Sequence, residues 1–411
     1  MKLSAPGAPH LTYCTNIHPG ESWAEVQENV RRHVTAVRDR AAGGGPFGVG
    51  LRLSARAAAE LGAPGELEAL RDFCARERLY VFTINGFPYG QFHGAPVKER
   101  VYLPDWMDEE RFAYTERLAE ILAALLPDGV EGSISTAPGA FKPRVRSADD
   151  VEVMARRLIR QVAGLVALRR RTGRSVALAL EPEPCCFLET TAEAVALFED
   201  HLLSRARVAE LAALTDERPA AAEEALRAHL GVCVDACHLA VEFEEPAAAL
   251  GALRAAGIRV PKIQISAGLR VLLDGPDPEI ADRLRAWAEG VYLHQVVERR
   301  PGAGDAELTR YLDLPDALAA LAARQGGGGS GGPAEWRIHF HVPIFRELTG
   351  PISTTQPDLR ALCAEIRRAP AAPHLEVETY TWEVLPEDQR REGVVEAVAR
   401  ELAWTKEQIE G

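Results

Sequence analysis

Three stretches in the second half of the chain decide the fold: Ser175-Val-Ala-Leu-Ala-Leu-Glu181-Pro182, Leu230-Gly-Val-Cys-Val-Asp235-Ala-Cys-His238 and Leu375-Glu-Val-Glu378-Thr-Tyr380. Each is a short apolar run that carries an acidic residue where a β-strand should end. A fourth stretch, Ile338-His-Phe-His341-Val-Pro343, places two imidazoles on one face of a strand. Carboxylates and histidines at the C-terminal ends of apolar strands are typical of the active site of a (β/α)8 barrel. These ligand types suit a divalent metal ion.

The rest of the chain shows the same alternation of short apolar runs with longer helical stretches, which is the pattern of βα units around a parallel sheet. Eight strands are predicted, at residues 11–16, 47–53, 79–84, 131–136, 175–181, 230–235, 260–266 and 374–380. Helices are predicted at 22–41, 55–77, 108–126, 147–172, 191–211, 217–228, 246–256 and 356–368. The prediction is therefore an α/β fold, a single (β/α)8 TIM barrel over residues 1–411.

Two segments exceed a minimal barrel and are predicted to be insertions after strands three and seven. The first, residues 85–111, is rich in aromatic residues and is interpreted as an ordered lid. The second, residues 267–335, contains a predicted helix at 280–289, a further strand at 291–297 and a Gly-rich tract at 325–332 that has the composition of a flexible loop.

Strand seven has two candidates. Residues 262–266 follow Asp235 at a normal βα spacing, whereas residues 338–342 stand directly before the last helix and strand. The first is favoured, and residues 336–344 are then expected to return over the same rim of the barrel.

Composition excludes several classes of function. The chain has 411 residues, 47% hydrophobic and 26% charged, and a net charge of −13 that argues against a nucleic-acid partner. No apolar run approaches the length of a membrane span, the first residues hold no apolar stretch of signal-peptide length, and no phosphate-binding glycine loop follows a predicted strand. The seven cysteines are scattered, which favours a reduced, cytoplasmic protein.

Glu181 and Glu378 are the first candidates for chemistry. Glu181 shares a strand face with Ala177 and Ala179, so that small residues lie below a carboxylate; the alternative is a strand-end glutamate turned to solvent. Glu183 has the same parity and is the weaker rival. Glu376 and Glu378 point the same way, and two buried acids on one strand are costly without partners, so at least one is expected to meet a cation or water.

Asp235 and His238 form an Asp-x-x-His pair that crosses a strand end, although an aspartate there also suits a helix N-cap. His339 and His341 share a parity, and His294 lies in another strand-like run. Each histidine singly is more often structural. Because neutral imidazole is the commonest metal ligand, we expect one of the three to bind the ion, and His341 is favoured.

With these residues in view, the chain resembles the xylose isomerase-like TIM-barrel superfamily of sugar isomerases and epimerases. The resemblance implies metal ligands at Glu181, Asp235 and Glu378, and a substrate contact at His238. The family's fourth ligand is a histidine of strand seven; His341 matches its His-x-His phrase, whereas Gln264 stands at the expected spacing.

Four further segments are similar to the EboE branch of metabolite traffic proteins, named for the ebo gene cluster: residues 10–23, 85–94, 292–295 and 375–382. The resemblance implies a small-molecule metabolite as ligand, other ebo-cluster proteins and a second copy of the chain as partners, and no direct insertion into a membrane.

The function expected from the resemblance is a metal-dependent isomerase or epimerase of a sugar, cyclitol or polyol-derived metabolite, with Mn, Zn, Co or Mg as cofactor. Glu181 and Glu378 are expected to exchange roles as base and acid. The expected substrate contacts are His238, Asn85, His93, Lys142, Gln264 and His294. A non-catalytic carrier on the same barrel is the alternative. A metal-dependent phosphoester hydrolase is the third reading, and it requires histidine ligands early in the chain.

Overall fold

The computed structural model describes residues 1–274, 278–301, 307–326, 332–348, 350–369, 372–387 and 390–411. Eight of its strands form a parallel sheet. They are β1 (His10–Tyr13), β2 (Phe47–Arg52), β3 (Leu79–Asn85), β4 (Gly132–Thr136), β5 (Val176–Leu180), β6 (Leu230–Asp235), β7 (Arg259–Ile265) and, last in the chain, β13 (His374–Val377). A second sheet contains β8 (Leu269–Leu273), β9 (Val296–Arg300), β10 (Glu307–Tyr311), β11 (Ala334–Ile338) and β12 (Ile352–Thr354).

The parallel sheet is a (β/α)8 barrel. Its strand order is β1-β13-β7-β6-β5-β4-β3-β2, and a parallel bridge between Cys14 and Gly50 links the two ends. The eight predicted barrel strands are therefore confirmed. β7 pairs with both β6 and β13, so the favoured candidate for strand seven is the barrel strand.

Helices alternate with the barrel strands, and further helices lie in the part of the chain that carries the second sheet. They are α1 (Trp23–Asn29), α2 (Thr35–Ala42), α3 (Ala55–Leu61), α4 (Glu66–Arg76), α5 (Glu109–Leu125), α6 (Ala148–Thr172), α7 (Thr191–Ala196), α8 (Arg205–Thr215), α9 (Pro219–His229), α10 (Ala236–Val241), α11 (Pro246–Ala255), α12 (Pro278–Arg285), α13 (Leu314–Gly326), α14 (Gln356–Arg368) and α15 (Val394–Glu410). Five-residue and six-residue π-helical segments, Val30–Val34 and Leu197–Leu202, follow α1 and α7. Among the described residues, no helix has the length and apolarity needed to cross a bilayer.

The longest helix shows how local sequence sets element ends. Ser147 and Asp150 form a reciprocal capping box at the start of α6, and Gly173, in the left-handed region at φ 72°, ends it. Three arginines fill the last turn, where positive charge is favourable against the helix dipole. The basic triplet is thus explained by the end of the helix.

Small and polar side chains fill the barrel interior. Ala177 and Ala179 of β5 lie in register with Ser133 and Ser135 of β4. A Cβ added at Gly50 would stand 1.9 Å from the Glu376 carboxylate, so only glycine fits there. Below the mouth of the barrel, the Lys262 ammonium lies 2.6 Å from Glu376, and both side chains are fully buried.

The second sheet is antiparallel, with strand order β10-β9-β11-β8-β12. The strand predicted at 291–297 begins later, at Val296, which corrects the prediction. The Glu289 carboxylate accepts the backbone N–H groups of Val291 and Tyr292, and Asp313 accepts that of His294, so this stretch satisfies its amides without a partner strand. Residues 327–331 of the predicted Gly-rich tract lie outside the described residues.

The segment between β3 and α5 packs on this second region. The backbone N–H of Val97 donates to the carbonyl of Val291 at 2.8 Å, and the Lys98 ammonium contacts Asp313 at 2.5 Å. At its base the fully buried Arg111 guanidinium donates to the carbonyls of Gly86 and Pro104. The segment therefore packs against this second region, and its residues Phe87, Phe92 and Tyr102 line a cavity at the C-terminal mouth of the barrel.

Candidate functional site

A cavity lies at the C-terminal mouth of the barrel, with about 40 Å³ open to the centre of a water molecule. Its floor is polar and includes Asn85, Glu181, His238, His341 and Glu378. Its outer wall is largely apolar and aromatic, with Phe87, Pro88, Phe92, Val97, Val101, Tyr102, Tyr292, Leu293 and Tyr380. The chain thus places charged groups in the position where barrel enzymes carry their catalytic residues.

Glu181, Asp235 and Glu378, the carboxylate cluster, lie close together, and Glu181 and Glu378 line the cavity. One oxygen from each lies within 4.8 Å of the others, and the three residues are between 2% and 5% exposed. Burial and the neighbouring Asp235 raise the pKa of Glu181 to about 7, against the attraction of His238. Burial, together with the nearby Glu181 and Asp235 carboxylates, holds the pKa of Glu378 well above its usual range. Three buried anions at this separation are costly unless a cation lies among them.

Neighbouring groups hold one oxygen of two of these carboxylates. Asn16 and Asn85 both donate a side-chain N–H to Glu378 Oε1, at 2.7 and 2.9 Å. Asp235 Oδ1 accepts the His238 backbone N–H at 2.9 Å and the Ser266 hydroxyl at 2.8 Å. The second oxygen of Asp235, like Glu181 Oε2, is buried and has no hydrogen-bond partner in the described part of the chain.

This donor set fits a divalent metal ion. Two buried carboxylate oxygens lack hydrogen-bond partners, which is expensive in a folded protein and is relieved by metal coordination. His341 adds an imidazole, since one of its nitrogens groups with Asp235 and His238 within 4.8 Å. The nearby Lys262 ammonium is engaged by Glu376 and does not fill this role.

His238, His339 and His341, the imidazole cluster, stand beside the carboxylates. His339 Nε2 lies 3.1 Å from His238 Nε2 and 3.3 Å from His341 Nε2. Burial and its histidine neighbours hold the pKa of His339 well below its usual range, and burial lowers that of His341 to about 4. For His238, burial lowers the pKa but Asp235, Glu183 and Glu181 outweigh it, so the net shift is upward.

Of the predicted substrate contacts, Asn85 and His238 line the cavity. His93 stands behind the wall, with its two ring nitrogens bonded to the carbonyl of Asn16 and the hydroxyl of Tyr292. His294 is fully buried between Glu289 and the carbonyl of His339.

The other two predicted substrate contacts are also absent from the residues described as lining the cavity. The Lys142 ammonium is held by Glu189 and Glu193, because a surface lysine pairs with the nearest carboxylates. Gln264 is fully buried in β7, in register with Asp235 and Glu376.

Sequence reasoning did not find several residues of the site. Asn16 follows β1 and contacts Glu378; its only sequence signal is its place at the end of the first predicted strand. The Tyr102 hydroxyl donates a hydrogen bond to Glu183 at 2.7 Å, and both residues line the cavity. Glu183 is the residue that was weighed against Glu181 as the candidate of β5. Lys98 and Tyr380 also line the cavity. Their contributions come from segments whose path the sequence does not specify.

Comparisons with known proteins give similarities at the level of the fold. No family model and no curated protein matches the chain. It is similar to a xylose isomerase-like TIM barrel protein from Mycobacterium smegmatis in complex with magnesium (11% identity, TM-score 0.48, covering 99% of this chain and 97% of that one). It is also similar to the probable 3-DHS dehydratase AsbF involved in petrobactin synthesis from Bacillus anthracis (12%, 0.45, 96% and 97%). A third is the IOLI protein with a bound zinc atom (12%, 0.42, 98% and 98%). The barrel itself is established by the strand order and register.

Proposed function

We propose that the protein is a metal-dependent isomerase or epimerase that acts on a sugar, a cyclitol or a polyol-derived metabolite. The observation that carries the proposal is the convergence of Glu181, Asp235 and Glu378 within 4.8 Å of one another, with Glu181 and Glu378 in the lining of the cavity. Glu181, Asp235, Glu378 and His341 are the residues that would hold the ion. The bound ion would supply Lewis-acid stabilisation of negative charge on substrate oxygens.

Glu181 and Glu378 are suited to move protons. A carboxyl group whose pKa is raised toward neutrality accepts and returns a proton efficiently near neutral pH, and that of Glu181 is about 7. Glu378 is fixed by Asn16 and Asn85 through a single oxygen, so its orientation is set before substrate binds. Proton removal beside a carbonyl by one carboxylate and return by the other describes an isomerisation or epimerisation.

Two further features favour a polyhydroxylated substrate. Asn16 lines the cavity, and its Oδ1 is buried without a hydrogen-bond partner in the described residues, so it is free to accept a hydroxyl proton. The aromatic outer wall excludes water from the acidic floor and offers ring faces to the C–H groups of a substrate. We extend the proposal to a secondary metabolite and to partners in the ebo cluster on the strength of the EboE resemblance alone.

Solvent exchange tests the proposal. Metal-loaded protein is incubated in D₂O with ketoses, aldoses and cyclitol ketones, and deuterium incorporation beside the carbonyl is followed by NMR. We expect exchange with at least one compound and its loss in Glu181→Gln, while the bound metal at saturating concentration stays nearly unchanged. Glu401→Gln is the matched control, because Glu401 is a buried carboxyl outside the cavity that bonds Thr379 and Ile344. Undiminished exchange in Glu181→Gln would defeat the assignment of the base.

The aromatic wall also supports the carrier alternative, because such a surface binds a metabolite without any chemistry. A carrier binds its ligand without deuterium exchange, and its affinity is insensitive to metal removal. The phosphoesterase reading lacks its early histidine ligands. His10 bonds the Tyr80 hydroxyl, His18 that of Tyr13, and His93 that of Tyr292, and none of the three histidines is among the described residues that line the cavity.

A further inference from the structure

The segment between β3 and α5 has two limbs that are held by different parts of the molecule. The near limb, residues 86–93, is bonded to the barrel. The Arg111 guanidinium of α5 donates to the carbonyl of Gly86 at 2.7 Å, and the Arg52 guanidinium of β2 donates to that of Pro88 at 3.2 Å. Both guanidinium groups are buried. The near limb is therefore fixed to the barrel by two buried cations.

The far limb, residues 94–103, is bonded to the part of the chain that carries the second sheet. The backbone N–H groups of Val97 and Lys98 both donate to the carbonyl of Val291, at 2.8 and 3.3 Å. Val97 and Tyr102 are buried, and the other residues of this limb are half-buried or exposed. A segment with few buried apolar contacts opens at low cost, because water replaces most of what it gives up.

Lys98 adds a charged link across the same boundary. Its ammonium lies 2.5 Å from Asp313 Oδ2 and donates to the carbonyl of Tyr292 at 2.7 Å. The Lys98 and Asp313 side chains are 27% and 14% exposed, so water screens the pair only in part. The backbone of Lys98 has a φ of 42°, in the left-handed region that residues with a side chain rarely adopt. The ion pair helps to hold this unfavourable conformation in place.

The acceptors of this link are fixed by contacts of their own. Asp313 Oδ1 accepts the backbone N–H groups of His294 and Leu314, both at 3.0 Å. The Glu289 carboxylate accepts the backbone N–H of Tyr292 at 2.9 Å. None of these bonds involves the far limb. A break in the link would therefore free the far limb and leave its acceptors in position.

The cavity needs such an opening in order to admit a ligand. The 40 Å³ open to the centre of a water molecule is room for about three waters, and a sugar or a cyclitol is several times larger. Val97, Lys98, Val101 and Tyr102 of the far limb line the cavity. Val97 and Val101 also line a neighbouring pocket, in which about 220 Å³ is open to the centre of a water molecule. The far limb is thus a thin wall between the cavity and the larger pocket.

We propose that the far limb is a lid on the cavity and that the Lys98–Asp313 ion pair is the latch of this lid. A ligand enters when the latch breaks and the far limb moves away about Gly94. The φ of Gly94 is 76°, and a Cβ added there would meet no atom of the described residues within 4 Å, which suits a hinge. Lys98 is then a positioning residue that keeps the wall of the cavity closed. The lid requires only that the cavity binds a ligand, and it does not depend on the proposed isomerase function.

Hydrogen–deuterium exchange in the full-length protein tests the latch without any ligand. Exchange of the Val97 amide is followed by NMR in the wild type and in Lys98→Met, which keeps a long side chain and removes its charge. We expect Lys98→Met to speed this exchange about 5- to 10-fold, the effect of losing a partly buried ion pair with a charge-assisted hydrogen bond. The Phe92 amide of the near limb, which donates to Glu21, should exchange as in the wild type.

Two variants control for the substitution itself. Lys98→Arg keeps the positive charge and should retain most of the wild-type protection of the Val97 amide. Arg100→Met removes a cation that bonds the Pro96 carbonyl within the far limb, and it should leave the exchange unchanged. Equal exchange of the Val97 amide in Lys98→Met and in the wild type overturns the latch. An acceleration of equal size at the Phe92 amide also overturns it, because the far limb then does not open on its own.

Discussion

Neutralising Glu181 should change the stability of the protein in opposite directions with and without metal. At 4.8 Å and an effective dielectric constant of 20, two carboxylates repel by about 3.5 kcal/mol, which is the repulsion from Asp235 that Glu181→Gln removes. Protonation relieves part of this cost. With the pKa of Glu181 raised from 4.5 to about 7, linkage limits the cost of its ionised form to about 3 kcal/mol. The smaller figure is the better guide, because the carboxyl group protonates before it bears the full repulsion.

The sign follows from the direction of the shift. A carboxyl group with a raised pKa contributes stability that is complete below pH 4.5 and is lost as the pH rises through about 7. At pH 8 the metal-free wild type carries the full cost, and Glu181→Gln does not. With an unfolding entropy of about 0.86 kcal/mol/K for a chain of this length, about 3 kcal/mol raises the Tm of the metal-free variant by about 3–4 °C. In saturating metal the order reverses, because the variant lacks one anionic ligand and gains less from binding.

Differential scanning calorimetry at pH 8, with chelator and with excess Mn²⁺ or Zn²⁺, measures both differences. Glu401→Gln is again the control: burial raises the pKa of Glu401 to about 7, against its hydrogen bonds from Thr379 and Ile344. Its substitution should therefore raise Tm equally in both conditions. The reasoning is refuted if Glu181→Gln is less stable than the wild type in chelator. It is also refuted if the Tm difference between variant and wild type is the same with chelator and with metal.

Three other predictions test separate parts of the structure. Asn85→Ala removes a charge-assisted hydrogen bond to Glu378 and should weaken metal binding about 10- to 100-fold in a calorimetric titration; unchanged affinity argues against this support. Because the pKa of Glu401 is about 7, the wild type should lose up to about 3 kcal/mol of unfolding free energy from this residue between pH 4.5 and 8, and Glu401→Gln should lose correspondingly less in urea denaturation. Lys262→Met leaves Glu376 buried without a cation and should cost about 3–5 kcal/mol of unfolding free energy; a loss below about 1 kcal/mol contradicts the ion pair.

The local pattern of the sequence carries most of the fold. Apolar strands and amphipathic helices alternate with a regular spacing, and this alternation specified the eight barrel strands before any contact was known. Strand parity also indicated that Glu181 shares a face with Ala177 and Ala179, and that Glu378 points the same way as Glu376. The prediction of a strand at 291–297 was wrong at its start, because side-chain carboxylates satisfy those amides locally and periodicity does not report that.

The sequence by itself determined the barrel and the acidic residues at the ends of β5, β6 and β13. Only the tertiary structure decided that Asn16 and Asn85 both donate to one oxygen of Glu378 and that Lys142 pairs with Glu189. It also decided that His339 Nε2 lies within 3.3 Å of ring nitrogens of His238 and His341. The physical reason is the distance along the chain over which the deciding interactions act. Strand and helix formation depend on neighbours a few positions away, whereas a site is assembled from loops whose approach depends on the packing of the whole chain.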